Sequence, residues 1–219
     1  MKVQLSLSAK SLPNVAGMFK GTSDPYAVVK ISSPGKEPKE LGRTEVVKNT
    51  LAPRWVHPFI FDHKLGTPTF LSIAVYDKIA KSSDKAMGSA MFDVDSVLGS
   101  KGNVKGKRMK GGGTMICKIL KHQGMGDFNL QLRAIKLTNV EGALGLGLAG
   151  KSDPFFEVLS QSKGAWDVIY RSKHVKSNLS PVWPEAKMDL ALLCGGNLNK
   201  PIKIMIYDFE SKGDHVLMG

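Results

Sequence analysis

The chain states one short stretch twice, as Gly21-Thr22-Ser23-Asp24-Pro25-Tyr26 and again as Gly150-Lys151-Ser152-Asp153-Pro154-Phe155, and this duplication restricts the fold more than any other feature. Each copy sets an acidic residue in a Gly/Ser/Pro loop directly ahead of an alternating apolar run, Tyr26 to Ile31 in the first and Phe155 to Leu159 in the second. Proline fixes φ, lacks an N–H and pushes the preceding Asp toward extended geometry, so it suits the first position of a strand. The carboxylate therefore stands at a loop-to-strand junction in both copies.

An ancestral duplication keeps one offset across unrelated landmarks. Asp153 follows Asp24 by 129 positions; Arg171, Lys176, Pro181 and Trp183 follow Arg43, Lys48, Pro53 and Trp55 by 128; Asp208 and Gly219 follow Asp77 and Gly88 by 131. A period of that size in 219 residues divides the chain into two domains, expected at 1–121 and 127–219 with a linker at 122–126.

Strand-like runs open each copy and recur at short intervals. In the first they are Val3–Ala9, Tyr26–Ile31, Arg43–Val47, Val56–Phe61, Phe70–Tyr76, Ser89–Phe92 and Thr114–Leu120; in the second, Phe128–Ile135, Phe155–Leu159, Val168–His174, Ala186–Ala191 and Ile202–Tyr207. Short strands punctuated by Gly, Pro and Ser, with no sustained helical period, predict an all-β fold of antiparallel sandwiches. The lysine-rich stretch from Lys101 to Lys110 reads as a mobile connection. The first copy continues with strand-forming sequence after Gly88, whereas the second stops at the matching Gly219, so the second sandwich is expected to lack its closing strands and to expose an edge.

Charge separates the halves. Residues 1–126 carry 20 Lys+Arg against 9 Asp+Glu, and residues 127–219 carry 11 against 10. The net charge of +12 is thus almost wholly the first copy's, and a basic face of this size attracts phosphate-bearing surfaces. The opening residues Met1 to Leu7 alternate like a strand rather than forming a signal-peptide core, no run approaches the roughly 18 apolar residues of a membrane span, and Cys117 and Cys194 sit singly in apolar runs. The chain reads as soluble and cytosolic.

The ordered motifs, Ser-Asp-Pro-aromatic, then Arg43 to Trp55 and Arg171 to Trp183, then Tyr76-Asp77 and Tyr207-Asp208, then Met87-Gly88 and Met218-Gly219, resemble C2 domains, the eight-stranded β-sandwiches that bind phospholipid. The tandem pair, with Lys176-Ser177-Asn178-Leu179-Ser180-Pro181-Val182-Trp183 as the better copy, is most similar to copines, in which a von Willebrand A domain follows. The resemblance implies an amino-terminal copine fragment or truncated relative without that domain, non-catalytic, binding anionic phospholipid and recruited from the cytoplasm to the inner face of the plasma membrane or other anionic membranes.

It also implies calcium between carboxylates of the first and third loops at one end of each sandwich, because a hard cation takes 6–8 oxygens and relieves the repulsion among crowded carboxylates. In the first copy Asp24 and Asp77 match, but Met18, Ile79 and Lys85 stand at ligand positions, Asp84 is one place early, and Lys78 lies in the same loop; this copy is expected to bind no calcium. In the second copy Asp153 and Asp208 match, Glu210 and Asp214 stand close by, Val216 occupies the last ligand position, and Glu141 has no alignable place. This set is expected to hold one calcium weakly. The alternative is that Asp24 and Asp153 only cap turns by accepting backbone N–H bonds.

Lipid-binding candidates are Lys30, Lys36, Lys39, Arg43 and Lys48, then Lys105, Lys107, Arg108 and Lys110, together with Lys78 and Lys85 in the third loop; Met18, Phe19, Leu146 and Leu148 are candidates to insert into the bilayer. The run Gly145 to Gly150 satisfies a dinucleotide fingerprint in form, but a strand and not a helix follows it. Neither cysteine has a motif partner and no serine sits in a nucleophile elbow, so no small-molecule substrate is expected. A scaffold that docks a protein on the open edge is the alternative, and nucleic-acid binding ranks below it because the aromatics fall in core-like runs.

Overall fold

A computed structural model describes residues 1–17, 21–80, 82–141, 150–162, 164–211 and 214–219. The inserting candidates Met18, Phe19, Leu146 and Leu148 lie outside the described residues. The chain forms two units, Met1–His122 and Gln123–Gly219.

The first unit is built from alternation. Strand β1 (Lys2–Lys10) turns Val3, Leu5, Leu7 and Ala9 inward, all at most 3% exposed. It lies in an antiparallel sheet of order β4-β1-β8-β7, with β4 at Phe59–Asp62, β7 at Val104–Arg108 and β8 at Thr114–Lys121. The facing sheet has the order β3-β2-β5-β6, with β2 at Pro25–Ser32, β3 at Lys39–Arg43, β5 at Phe70–Asp77 and β6 at Lys85–Asp93. Ala27, Val29, Leu71, Ile73 and Val75 from that sheet meet Met115, Cys117 and Ile119 from β8 in one core. Burying each large aliphatic side chain contributes about 1.5–3 kcal/mol. A short helix α1 (Val94–Leu98), capped by Asp93 through the Ser96 N–H, crosses between β6 and β7.

The expected mobile stretch contains a strand. Val104 to Arg108 pairs with Lys118 to Thr114, and its Lys-Gly-Lys-Arg sequence is that of a charged outer strand whose place is set by its neighbour rather than by propensity. Two further expectations shift. The strands expected to begin at Arg43 and Val168 lie earlier, at Lys39–Arg43 and Ala165–Arg171, because the chain beyond Arg43 bends toward the loop end. There Thr44 N–H to Ala27 O, Ala27 N–H to the Thr44 hydroxyl and Val47 N–H to Pro25 O tie it to β2 in place of a regular ladder. β4 begins at Phe59 rather than Val56 because the Val56 and His57 N–H groups donate to the Glu45 carboxylate.

The second unit repeats the order. Its strands are β9 (Asp127–Leu130), β10 (Pro154–Ser162), β11 (Ala165–Arg171), β12 (Ala186–Asp189), β13 (Ile202–Asp208) and β14 (Val216–Leu217), with a helix α2 (Leu190–Cys194). The sheet β11-β10-β13-β14 reproduces β3-β2-β5-β6, whereas among the described residues β9 pairs only with β12. Among the described residues nothing corresponds to β7 and β8. The expected strand to Ile135 shortens to Asp127–Leu130, with one further bridge between Arg133 and Val182, since a strand paired on one side has fewer bonds to keep it regular. The core of this unit, around Phe156, Val158 and Trp183, is smaller, and Phe128, Leu130, Leu132 and Ala134 are only partly covered.

Candidate functional site

The residues that the sequence repeats are those that pin the loops at one end of each unit. The Trp55 indole N–H donates to Pro25 O at 3.2 Å, and the Trp183 indole N–H to Pro154 O at 3.2 Å. Asp77 and Asp208 end β5 and β13, and each accepts through Oδ1 the backbone N–H of the motif aspartate, Asp24 or Asp153, at 2.6 Å. The motif aspartates then cap the next loop: Asp24 Oδ1 accepts from Asn49 N–H at 2.8 Å and Asp153 Oδ1 from Ser177 N–H at 2.7 Å. Asn49 and Ser177 hold left-handed backbone, φ 53° and 48°. The capping alternative is therefore present, but it acts across loops, 25 and 24 residues away, rather than within one turn.

The two ends differ in what surrounds this frame. In the first unit a cavity of about 330 Å³ is lined by Ala16, Thr22, Asp24, Asp77, Lys78 and Ile79. Lysines close it. Lys85 Nζ donates to Val15 O at 3.1 Å, linking the loop after β5 to the loop after β1, and Lys78 Nζ donates to Asp84 Oδ2 at 3.2 Å. Asp84 also accepts from Ile79 N–H at 3.0 Å and the Tyr26 hydroxyl at 2.8 Å. These donors, the Ile79 N–H first, hold its carboxyl below the usual range.

The second unit has Phe209 and Val216 where the first has Lys78 and Lys85, and Glu210 where the first has Ile79. Asp208 is fully buried, and its Oδ2 has no hydrogen-bond partner. Burial first, then the charges of Asp208 and Asp153, raise the carboxyls of Glu141 and Glu210; Glu210 adds to the rise at Glu141. Asp153, Asp208, Glu210 and Glu141 thus share one electrostatic environment, while Asp214 is exposed and acts on His215. His215 accepts the Glu210 N–H through Nδ1 at 3.1 Å; burial, then Arg171, lowers its pKa. Phe209 stacks on His174 with ring centres 4.2 Å apart.

Glu141 is the residue that sequence reading did not assign. Its signal is a change of offset, since the equivalent bonds Leu12 N–H to Leu51 O and Leu137 N–H to Leu179 O set an offset of 125 before the loop, against 129 at the aspartates. The loop is longer in the second copy, and the equivalent bonds Val15 N–H to Ser23 Oγ and Val140 N–H to Ser152 Oγ carry the offset of 125 up to Val140, which sets Glu141 opposite Ala16. The donor set is chemically that of a hard cation, and the unpartnered buried oxygen of Asp208 fits a cation better than it fits an empty interior. Among the described residues no three carboxylate, imidazole or thiol groups converge closely enough to hold a metal as they stand.

The basic candidates fall on two sheets. The pairings Val28 with Arg43 and Lys30 with Glu40 put Lys30, Arg43 and Glu40 on one face of the β3-β2-β5-β6 sheet, where Arg43 Nε and Glu40 form an exposed pair at 3.1 Å. Lys36, Lys39 and Lys48 are exposed nearby along the chain. Lys105, Lys107, Arg108 and Lys110 are exposed on and after β7, in the other sheet. Tyr26, Trp55, Phe59 and Phe61 are buried, and Tyr26 stacks on Tyr76 with centroids 5.7 Å apart. Among the described residues, no helix is long and apolar enough to cross a membrane.

Solved structures similar in fold include the first of the lettered C2 domains, domain A, of plant Extended Synaptotagmin 1, with 19% identity over 54% of this chain and 91% of that one at a TM-score of 0.44. The calcium-bound pair of C2 domains, A and B, of Extended-Synaptotagmin 2 is 16% identical over 98% of this chain and 81% of that one, TM-score 0.41. Human GIVD cytosolic phospholipase A2 is 12% identical over 94% of this chain but only 31% of its own length, TM-score 0.42. The family model described as C2 domain matches residues 4–109 and again residues 125–219. With both halves of the repeat matched and both folded as antiparallel β units, the chain belongs to the C2 domain family and carries two such domains in tandem.

Proposed function

We propose that this chain is a non-catalytic, peripheral membrane-binding protein that attaches to anionic phospholipid, its first domain by constant electrostatic attraction and its second with calcium, in the manner of the tandem C2 domains of copines. The observation that carries the reading is the contrast between equivalent loops. Lys85 spans the loops of the first domain, with its ammonium bound to Val15 O, while the second keeps a buried Asp208 oxygen without a partner. Asp153, Asp208, Glu210 and Glu141 are the residues that would hold the cation, with Asp214 as an exposed outer charge. A bound calcium would cancel their mutual repulsion and offer open coordination positions to phosphate oxygens. In the first domain the lysines supply the positive charge permanently, and Lys30, Lys36, Lys39, Arg43 and Lys48, with Lys105, Lys107, Arg108 and Lys110, extend it over the surface.

Nucleic acid would meet the same charge, but the aromatics of the first domain that stacking would require are largely buried. A protein-docking role without lipid binding is the alternative, and vesicle binding separates the two. The test is co-sedimentation of the whole chain with phosphatidylserine vesicles over a salt series, with calcium or chelator. Binding that falls with salt, and a calcium-dependent increment removed by Asp208→Asn, are expected. Absence of vesicle binding at low salt would refute the reading.

A further inference from the structure

The hairpin between β2 and β3 of the first domain carries Ser33-Pro34-Gly35-Lys36. Lys36 N–H donates to Ser33 O at 3.0 Å and Gly35 holds φ 74°, which with proline in second place makes a type II turn. Among the described residues this is the only backbone bond within 33–38, and the Ser33 hydroxyl makes no hydrogen bond. Pro34 to Pro38 are exposed, so the connection opens into an extended form at little cost. Two other hydroxyl residues precede a proline, and both are held. Ser180 Oγ accepts Lys136 N–H at 3.0 Å and Ser180 N–H donates to Asn178 Oδ1 at 2.8 Å, ahead of the buried Pro181. Thr67 N–H donates to Lys64 O at 3.1 Å and Thr67 O accepts the Thr69 hydroxyl at 3.0 Å. Three places beyond them stand Trp183 and Phe70, where Ser33 has Lys36.

We propose that Ser33 is a phosphorylation site for a proline-directed protein kinase, and that phosphate there weakens the hold of the first domain's basic face on anionic membrane. Such a kinase takes proline after the serine because another residue would bury an unpaired N–H at that place, and a lysine three places on suits an acidic pocket. Ser33 Oγ attacks the γ-phosphorus of a nucleoside triphosphate and gives its proton to the kinase's base while the bond to the diphosphate breaks. The products are phosphoserine and a nucleoside diphosphate. The consequence rests on the attachment to anionic lipid. Around the hairpin Lys30, Lys36, Lys39 and Arg43 stand against Glu37 and Glu40, and a phosphate of about −1.5 to −2 cancels that excess of two positive charges. Lys39 lies opposite Ile31, two positions before Ser33 and thus about 7 Å along the strand, inside a Debye length of about 8 Å. Pro25, which opens β2 at the aspartate loops, is eight positions from Ser33, about 26 Å away. The phosphate is therefore screened from Asp24 and Asp77 and acts on the sheet face.

The full chain treated with a cyclin-dependent kinase and ATP, then mapped by mass spectrometry, tests the site. Near-complete phosphate on Ser33, absent in Ser33→Ala, with Thr67 and Ser180 unmodified, is expected. Co-sedimentation with phosphatidylserine vesicles in chelator tests the consequence. The phosphorylated chain is expected to bind about tenfold more weakly than the untreated chain, and kinase-treated Ser33→Ala as tightly as untreated Ser33→Ala. No phosphate on Ser33 while a Ser-Pro-Gly-Lys peptide is modified in the same reaction, or equal vesicle binding by the phosphorylated and untreated chains, would overturn the proposal. Vesicle binding by neither form would refute the attachment to anionic lipid and the switch with it, and is told apart by the mass at Ser33, which reads the modification without lipid.

Discussion

Replacing Trp183 by Phe, and in parallel Trp55 by Phe, isolates the hydrogen bond that ties the repeated tryptophan to the aspartate loop. Each indole N–H donates to a motif proline carbonyl at 3.2 Å. Neither carbonyl is orphaned by the change, since Pro25 O also accepts Val47 N–H and Pro154 O also accepts Val175 N–H. The loss is then that of an ordinary net hydrogen bond, about 1 kcal/mol, rather than a full desolvation penalty. Both side chains are nearly inaccessible, 3% and 1% exposed, and trimming the second ring leaves a small void worth roughly 1 kcal/mol more. About 2 kcal/mol is expected in each domain, and with a slope near 1–2 kcal/mol/M the urea midpoint should fall by about 1–2 M. The consequence differs: among the described residues six buried hydrophobics form the second core against twenty-two in the first, so the same loss takes a larger share of the second domain's reserve. Urea unfolding followed by circular dichroism, with hydrogen exchange to assign each transition, measures it. Shifts below about 0.3 M in both variants would refute the reasoning.

Opposite pKa shifts give the domains opposite pH responses. Asp84 and Asp95 are held low, chiefly by the Ile79 N–H and by His63, so the stability they contribute is present above the ordinary Asp value and lost as pH falls through their lowered values. Glu141 and Glu210 are raised, so their contribution is full below the ordinary Glu value and lost as pH rises through the raised values; thermal melts in chelator should show the second domain gaining on the first as pH falls toward that range. Burial pushes the Cys117 thiol up to about 12, so it should resist alkylation at neutral pH until the first domain unfolds, as mass spectrometry along a urea series would report. Ser177 has the left-handed backbone that Asn49 holds in the first copy; Ser177→Asn is expected to raise second-domain stability by roughly 0.5–1 kcal/mol in the same unfolding assay.

Much of the fold was legible because its determinants are local. Alternation in Val3 to Ala9 and Phe70 to Tyr76, the proline that opens β2 and β10, and the offsets shared by Asp, Arg, Pro and Trp are properties of neighbouring residues or of simple counting. The lysine-rich strand β7 was not, because Val104 to Arg108 has loop composition and takes strand geometry from β8. Nor was the place of Glu141, since a longer loop breaks the offset that located every other carboxylate.

By itself the sequence determined two C2 domains, the concentration of positive charge in the first, and the acidic loops. Only the tertiary structure decided that the repeated aspartates are locked to one another, and that Lys85 bridges two loops while Asp208 keeps an unpartnered oxygen. These depend on groups more than fifty positions apart meeting within hydrogen-bond distance, 53 for Asp24 and Asp77 and 55 for Asp153 and Asp208. Local propensity carries no record of such meetings; sheet register and burial create them.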